Sequence, residues 1–303
     1  MNSPQISVVM PVYNAGGYLK YSIESILNQT FKDFEFIIIN DGSTDDSESM
    51  IKHYQQLDSR IILISRENKG LVITLNEGIE KASAKLIARM DADDISLPRR
   101  LESQKDFMDT NPNCVAVGSK VRVIDQKSRF LTHTKPKLNH DEILNSALNG
   151  VCPLIHPSVM FRKEAVLSAG GYRLENYPAE DLALWLDLSH YGRLENIDEV
   201  LLEYRIHNNS ISTQNHALQT EATEIICRRE CEKRGIKFEN KFRKGREDGS
   251  RSSKNKILLK HGWWAHSNRQ WRTSAIYALN AIRQLPFDKA GWNLLFCSFL
   301  RRF

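Results

Sequence analysis

The chain has 303 residues, 41% hydrophobic and 26% charged, with 15 Gly and 9 Pro, which excludes disordered and fibrous classes and allows two compact units with an enzyme-sized core. Its five cysteines are scattered without a CxxC pair, which argues against a zinc site or disulfide framework and for a reduced, cytoplasmic setting. The net charge of +5 is uneven: residues 228–303 hold 19 Lys and Arg against 6 Asp and Glu, a net +13, leaving −8 on residues 1–227.

Met1–Val12 lacks the basic start of a signal peptide, and the most apolar late run, Leu294–Leu300, is far shorter than the roughly 20 residues a spanning helix needs. Ile6–Val12 reads as a buried strand, and Tyr18–Gln29 as a helix with Leu19, Ile23, Ile26 and Leu27 on one face. Phe34–Ile39 is a second strand, closed by Asp41–Thr44 as turn and helix cap, with a helix running to Leu57. Ile61–Ser65, a helix carrying Leu71, Leu75 and Ile79, and Leu86–Met90 complete four strands with three crossovers. This pattern predicts an α/β fold with a doubly wound parallel sheet, whose ligands belong beyond the carboxyl ends of the strands.

From Leu97 to Ser212 the period changes to a helix over Pro98–Thr110, short strands around Val115–Val123 and a hairpin through Asp125–Arg129. From Ala217 the chain is helical in period, with Leu218, Ala222, Ile225 and Ile226 on one side. Lys241–Lys256 reads as a flexible, charged link, and Ser267 with Gln270 as a capping box for a helix that stops at Pro286. The expected division is a catalytic domain over 1–225, with a nucleotide half (1–94) and an acceptor half (95–225), followed by a basic helical extension over 226–303.

Polar residues follow every early strand: Tyr13–Asn14, Asn40–Ser43, Arg66–Gly70 and Asp91–Asp94. Asp91 and Asp93, on either side of Ala92, can hold a hard divalent cation that keeps positions open for phosphate oxygens, or can be a solvated acidic turn. Asp41 is placed to accept the imide N–H of a uracil ring, or to cap the following helix. Glu180 and Asp181 begin an apolar helical run, where carboxylates also complement the helix dipole. His207, with Arg205, follows a strand-like run over Val200–Tyr204, and His156 either faces an acceptor or supports a loop.

Taken together, SVVMPVYN (7–14), FEFIIINDGSTDD (34–46), MDADD (90–94), AEDLALW (179–185) and the run 204–212 resemble an inverting family 2 glycosyltransferase with the GT-A fold, of the bacterial cell-surface polysaccharide type. The resemblance covers residues 5–215. It implies that Pro11, Val12, Tyr13 and Asp41 cradle the nucleotide, UDP being the expected one, with Arg66, Asn68, Asp91 and Ala92 also on the donor. It implies Mn²⁺ or Mg²⁺ on Asp93 and His207, with Asp181 as catalytic base. His156, Glu180 and Arg205 fall to the acceptor or to support. Asn40 stands where relatives often carry a second Asp, and Thr74-Leu75-Asn76 lacks the Arg that many carry before the Asn, which leaves open which cation contacts the donor, Arg66 being one candidate.

The expected partners are a nucleotide-diphosphate sugar and a glycan or lipid-linked acceptor. The competing class is a non-catalytic nucleotide- or nucleic-acid-binding protein with a degenerate transferase fold. The basic tail, with Trp263, Trp264 and Trp271, fits an anionic membrane surface at the inner face of the cell membrane or a bland helical cap equally well, and fits nucleic acid less.

Overall fold

The computed structural model describes residues 3–207, 216–239 and 251–300. Strands β1 (Ile6–Val12), β2 (Phe34–Asp41), β3 (Ile61–Arg66) and β4 (Leu86–Arg89) are joined by helices α1 (Leu19–Leu27), α2 (Ser47–Leu57) and α3 (Leu71–Lys81). The strands are parallel, with Val12 opposite Asn40, Asn40 opposite Ser65, and Val9 opposite Arg89. Their carboxyl ends therefore open at one rim. Near-continuous apolar runs in β1 and β2 are what a sheet covered on both faces requires.

The chain continues through β5 (Ile95–Ser96), α4 (Arg100–Thr110), β6 (Cys114–Asp125), β7 (Phe130–His133), α5 (His140–Leu148), β8 (Met160–Arg162), α6 (Lys163–Ser168), α7 (Glu180–Leu188), β9 (Arg193–Ile206) and α8 (His216–Lys233). The strand order is β3-β2-β1-β4-β8-β6-β9-β5, with β8 antiparallel to β4. The parallel half is thus extended by a mostly antiparallel one. Where the sequence suggests short strands around Val115–Val123, β6 is one strand of 12 residues.

Two compact units are present: Met1–Val121, Lys135–Tyr204 and Leu218–Phe242 form the first, and Arg122–Thr134, Arg205–Ala217 and Arg243–Phe303 the second. The core of the first gathers Val9, Ile37, Ile39, Leu75, Ile87, Phe161 and Trp185, and a smaller cluster joins Ala147, Leu182, Leu186 and Ile226. The second unit holds the far end of β6 paired with β7, and helices α9 (Arg251–Ser267), α10 (Trp271–Gln284) and α11 (Lys289–Leu300). Tyr277 donates its hydroxyl to Asp125 Oδ2 at 3.0 Å, and Asn268 Nδ2 donates to Leu131 O at 3.2 Å, which ties the helices to the hairpin.

Two expectations for this region are corrected. Residues 240–250 of the expected link lie outside the described residues, but from Arg251 the chain is already helical. No capping box opens α10: Ser267 is the last residue of α9, and Gln270 occupies the N-cap without a side-chain bond. The reversal is made instead by Arg269 at φ 60°, so the polar residues that resemble a cap are the turn itself. Among the described residues no helix is long and apolar enough to cross a membrane.

Candidate active site

The loops after β1, β2 and β3 are interlocked by hydrogen bonds. Ser43 Oγ accepts from Asn14 N at 3.0 Å, Asn14 Oδ1 accepts from Thr44 N at 2.8 Å, and Asp45 Oδ2 accepts from Gly16 N at 3.0 Å. Asn14 adopts φ 49°, a left-handed conformation that Asn tolerates better than most residues. Asp41 is buried, and its carboxylate receives Lys69 N at 2.8 Å, Gly70 N at 3.0 Å and the Arg66 guanidinium. Those three donors fill three of the roughly four acceptor positions of a carboxylate. Gly42, at φ +72°, has no room for a side chain, because a Cβ would lie 2.6 Å from Asn68 N.

The expected helix cap differs: Asp46 is the N-cap of α2, and Asp41 instead fixes the amides at the start of α3. Arg66 is held on several sides, with Nε on Glu77 Oε2 at 2.7 Å, Nη2 on Thr74 Oγ1 at 2.9 Å and Nη1 on Glu67 O at 2.9 Å beside its ion pair with Asp41. Of the other residues assigned to the donor, Pro11 and Ala92 are half-buried, Val12 is buried, and Tyr13 and Asn68 are exposed at the rim.

After β4, Asp91, Asp93 and Asp94 each offer a carboxylate oxygen, all within 4.8 Å of one another. Such a hard, all-oxygen donor set suits Mg²⁺ or Mn²⁺. Burial pushes the Asp91 carboxyl above its ordinary value, the Asp93 charge adds to this, and the ion pair with Arg89 opposes it. Arg89 itself is buried, and its Nε has no hydrogen-bond partner. Arg100, also buried, donates Nη2 to Arg89 O at 2.6 Å and so fixes the strand end from which Asp91 projects. Burial and the neighbouring Arg89 charge lower the Arg100 guanidinium to about 9.

Asp181 and Glu180 begin α7. Asp181 Oδ1 accepts its neighbour Leu182 N at 2.7 Å, and Oδ2 accepts the Cys152 thiol at 3.3 Å. Burial raises the Asp181 carboxyl, and these two donors pull it partly back. Glu180 is buried with Oε2 unpartnered, and burial with the Asp181 charge lifts its carboxyl to about 7. The charge of Asp181 also raises Asp91, so carboxylates 90 positions apart in sequence share one electrostatic environment, with Arg89 as the buried cation among them.

His156 Nε2 lies 2.6 Å from the Tyr172 hydroxyl, with its ring 5.8 Å from that of Trp185. Burial and Arg89 hold its imidazole well below the ordinary range, so it is neutral. Arg205 and His207 belong to the second unit, where Arg205 is buried and donates Nη1 to Asp125 O at 3.1 Å and Ser128 Oγ at 2.9 Å. His207 follows β9 and is half-buried. Sequence reasoning missed Arg89, Arg100 and Cys152. Arg89 was detectable as the single charged residue in the apolar run LIARM, whereas nothing in sequence singles out Cys152.

The pattern of the family described as Glycosyl transferase family 2 matches residues 7–168. The chain is 41% identical over 217 residues to the O-antigen biosynthesis glycosyltransferase WbnJ of Escherichia coli, covering 70% of this chain and 83% of that protein. Among solved structures, S. aureus TarS 1-349 in complex with UDP-GlcNAc superposes with a TM-score of 0.61 at 16% identity, over 93% of this chain and 82% of that one. The mannosyltransferase PcManGT from Pyrobaculum calidifontis, in complex with GDP-Man and Mn2+, gives a TM-score of 0.59 at 14% identity, over 100% and 82%.

Proposed function

The chain belongs to glycosyltransferase family 2 and has the GT-A fold, and from that premise we propose that it moves a hexosyl or N-acetylhexosaminyl group from a nucleotide-diphosphate sugar, UDP-linked, to a hydroxyl of a glycan or lipid-linked acceptor in bacterial polysaccharide biosynthesis. The observation that carries this reading is the convergence of Asp181 with the Asp91–Asp94 rim around buried Arg89. The loops after β1, β2 and β3 form the donor platform, locked by Asp41, Asn14 and Ser43 before any ligand arrives. Preorganisation of that kind lowers the ordering cost of binding.

In the displacement, the acceptor O–H gives its proton to the Asp181 carboxylate while its oxygen forms a bond to the anomeric carbon. The bond from that carbon to the diphosphate oxygen breaks, its electron pair leaves with the nucleoside diphosphate, and the anomeric configuration inverts. Asp93 and Asp91, with Asp94 beside them, would hold a divalent cation that supplies positive charge to the leaving diphosphate. Burial of Asp181 strengthens it as a base by raising its proton affinity.

Asp181→Asn removes the base but preserves shape. It is expected to lower turnover about 10³-fold while UDP affinity, read by calorimetry, stays within about threefold, since the side chain acts on the acceptor. Turnover near the wild-type rate in Asp181→Asn would remove Asp181 from the role of base.

A further inference from the structure

Helix α11 turns an apolar side to solvent. Residues three and four apart share a helix face, and Trp292, Phe296, Phe299 and Leu300 do so, each more than half exposed. Phe287, just before the helix, is 99% exposed. The opposite side is already seated within its unit: Gly291, Leu294 and Ser298 are buried, Ser298 Oγ lies 2.7 Å from Ser274 Oγ, and a Cβ on Gly262 would fall 2.4 Å from Leu294. The outward face is therefore not an unpacked core, and a contiguous aromatic patch held in water marks a docking surface.

Charge selects its occupant. Residues 251–303 carry ten Lys and Arg and a single acidic residue, Asp288, which accepts Asn255 Nδ2 and Ala290 N, each at 3.0 Å. We propose that α11 is an interfacial helix that lays Trp292, Phe296, Phe299 and Leu300 into the surface of an anionic phospholipid bilayer, to which the net positive charge of this region adds electrostatic attraction. A second copy would bring two strongly cationic surfaces together, which costs free energy. Nucleic acid would need open rings interleaved with cations, but Trp264 and Trp271 have ring contacts with His261 and His266 inside the helical unit, and the exposed face of Trp292, Phe296, Phe299 and Leu300 carries no cation among these four side chains. The sequence directs attention to Trp263, Trp264 and Trp271, whereas the structure points to α11. This inference is independent of which sugar is transferred.

The test is co-sedimentation of the full chain with vesicles of phosphatidylglycerol and phosphatidylcholine in equal parts, and of phosphatidylcholine alone. Wild-type protein is expected to bind the anionic vesicles preferentially, and less so as salt is raised. The triple variant Trp292→Ser, Phe296→Ser, Phe299→Ser is expected to lose at least about tenfold in partitioning, while Trp292→Phe with Phe296→Leu, which keeps the face apolar, stays within about threefold. If the triple variant melts earlier than wild type, Phe296→Ser alone, at a 63% exposed position, carries the test with a severalfold loss. Wild-type indifference to anionic lipid, or unchanged binding by the Ser variants, would overturn the proposal. So would a dimer seen by sedimentation equilibrium that the same substitutions dissolve while vesicles remain unbound.

Discussion

The rim of the parallel sheet and the outer face of α11 are built on opposite rules. At the rim, polar groups are closed on one another: Asp41 spans the loops after β2 and β3, and Asn14 and Ser43 those after β1 and β2. On α11 the side chains that would ordinarily form a core face water. The contrast teaches where to look for function. The rim is closed on itself by hydrogen bonds, as the proposed donor cradle requires, whereas α11 offers apolar area that its own unit leaves uncovered.

Substitution at Arg89 is the strongest way to break the rim. Arg89→Met leaves Asp91 and its neighbouring carboxylates without their buried cation, and stability by denaturant unfolding is expected to fall by about 3 kcal/mol. The same change raises the Asp91 carboxyl further, so the pH at which protonation displaces Mn²⁺ should move upward. Retention of wild-type stability and of the wild-type pH dependence of Mn²⁺ binding would mean that Arg89 does not hold this cluster together.

Gly42→Ala comes next. It forces a Cβ against Asn68 N at a left-handed backbone position, and a loss of about 2 kcal/mol is expected with weaker nucleotide binding. An equivalent Ala at Gly70, also at positive φ but with open space around it, should cost less, and reversal of that order would contradict the interlocked-loop description.

The smallest expected effect is a pH dependence. Glu180 titrates at about 7 in the fold against an ordinary value of 4.5, so its protonated form is favoured by the native state. Its contribution to stability is complete below about 4.5 and is lost as pH rises through about 7. Glu180→Gln should therefore flatten the stability profile between about pH 5 and about pH 8, with a gain on the order of 1–2 kcal/mol at the alkaline end. Parallel profiles for the two proteins would show that Glu180 is not held protonated.

The sequence reads well where local signals and tertiary structure agree. The four parallel strands end within two residues of their expected positions, because a buried β-branched run is cut off by Asn, Asp and Gly that cannot continue it. The clustering of Asp91 and Asp93 at the rim was legible because the sequence places both directly after a parallel strand, whose carboxyl end opens there. Arg89, Arg100 and Cys152 were not, since their roles depend on partners brought in by distant segments. The start of α9 was obscured by its Lys and Ser content, which resembles a linker, although Asn255 is buried and bonded to Asp288.

The central claim is a donor site in which the β4 carboxylates hold a cation for a nucleoside diphosphate. Calorimetric titration of the protein with UDP, GDP and dTDP, with and without Mn²⁺, tests it most directly when wild type and Asp93→Ala are compared. The prediction is Mn²⁺-dependent binding of UDP that Asp93→Ala abolishes. Failure of all three nucleotides to bind, or UDP binding that ignores both Mn²⁺ and the Asp93→Ala substitution, would contradict it.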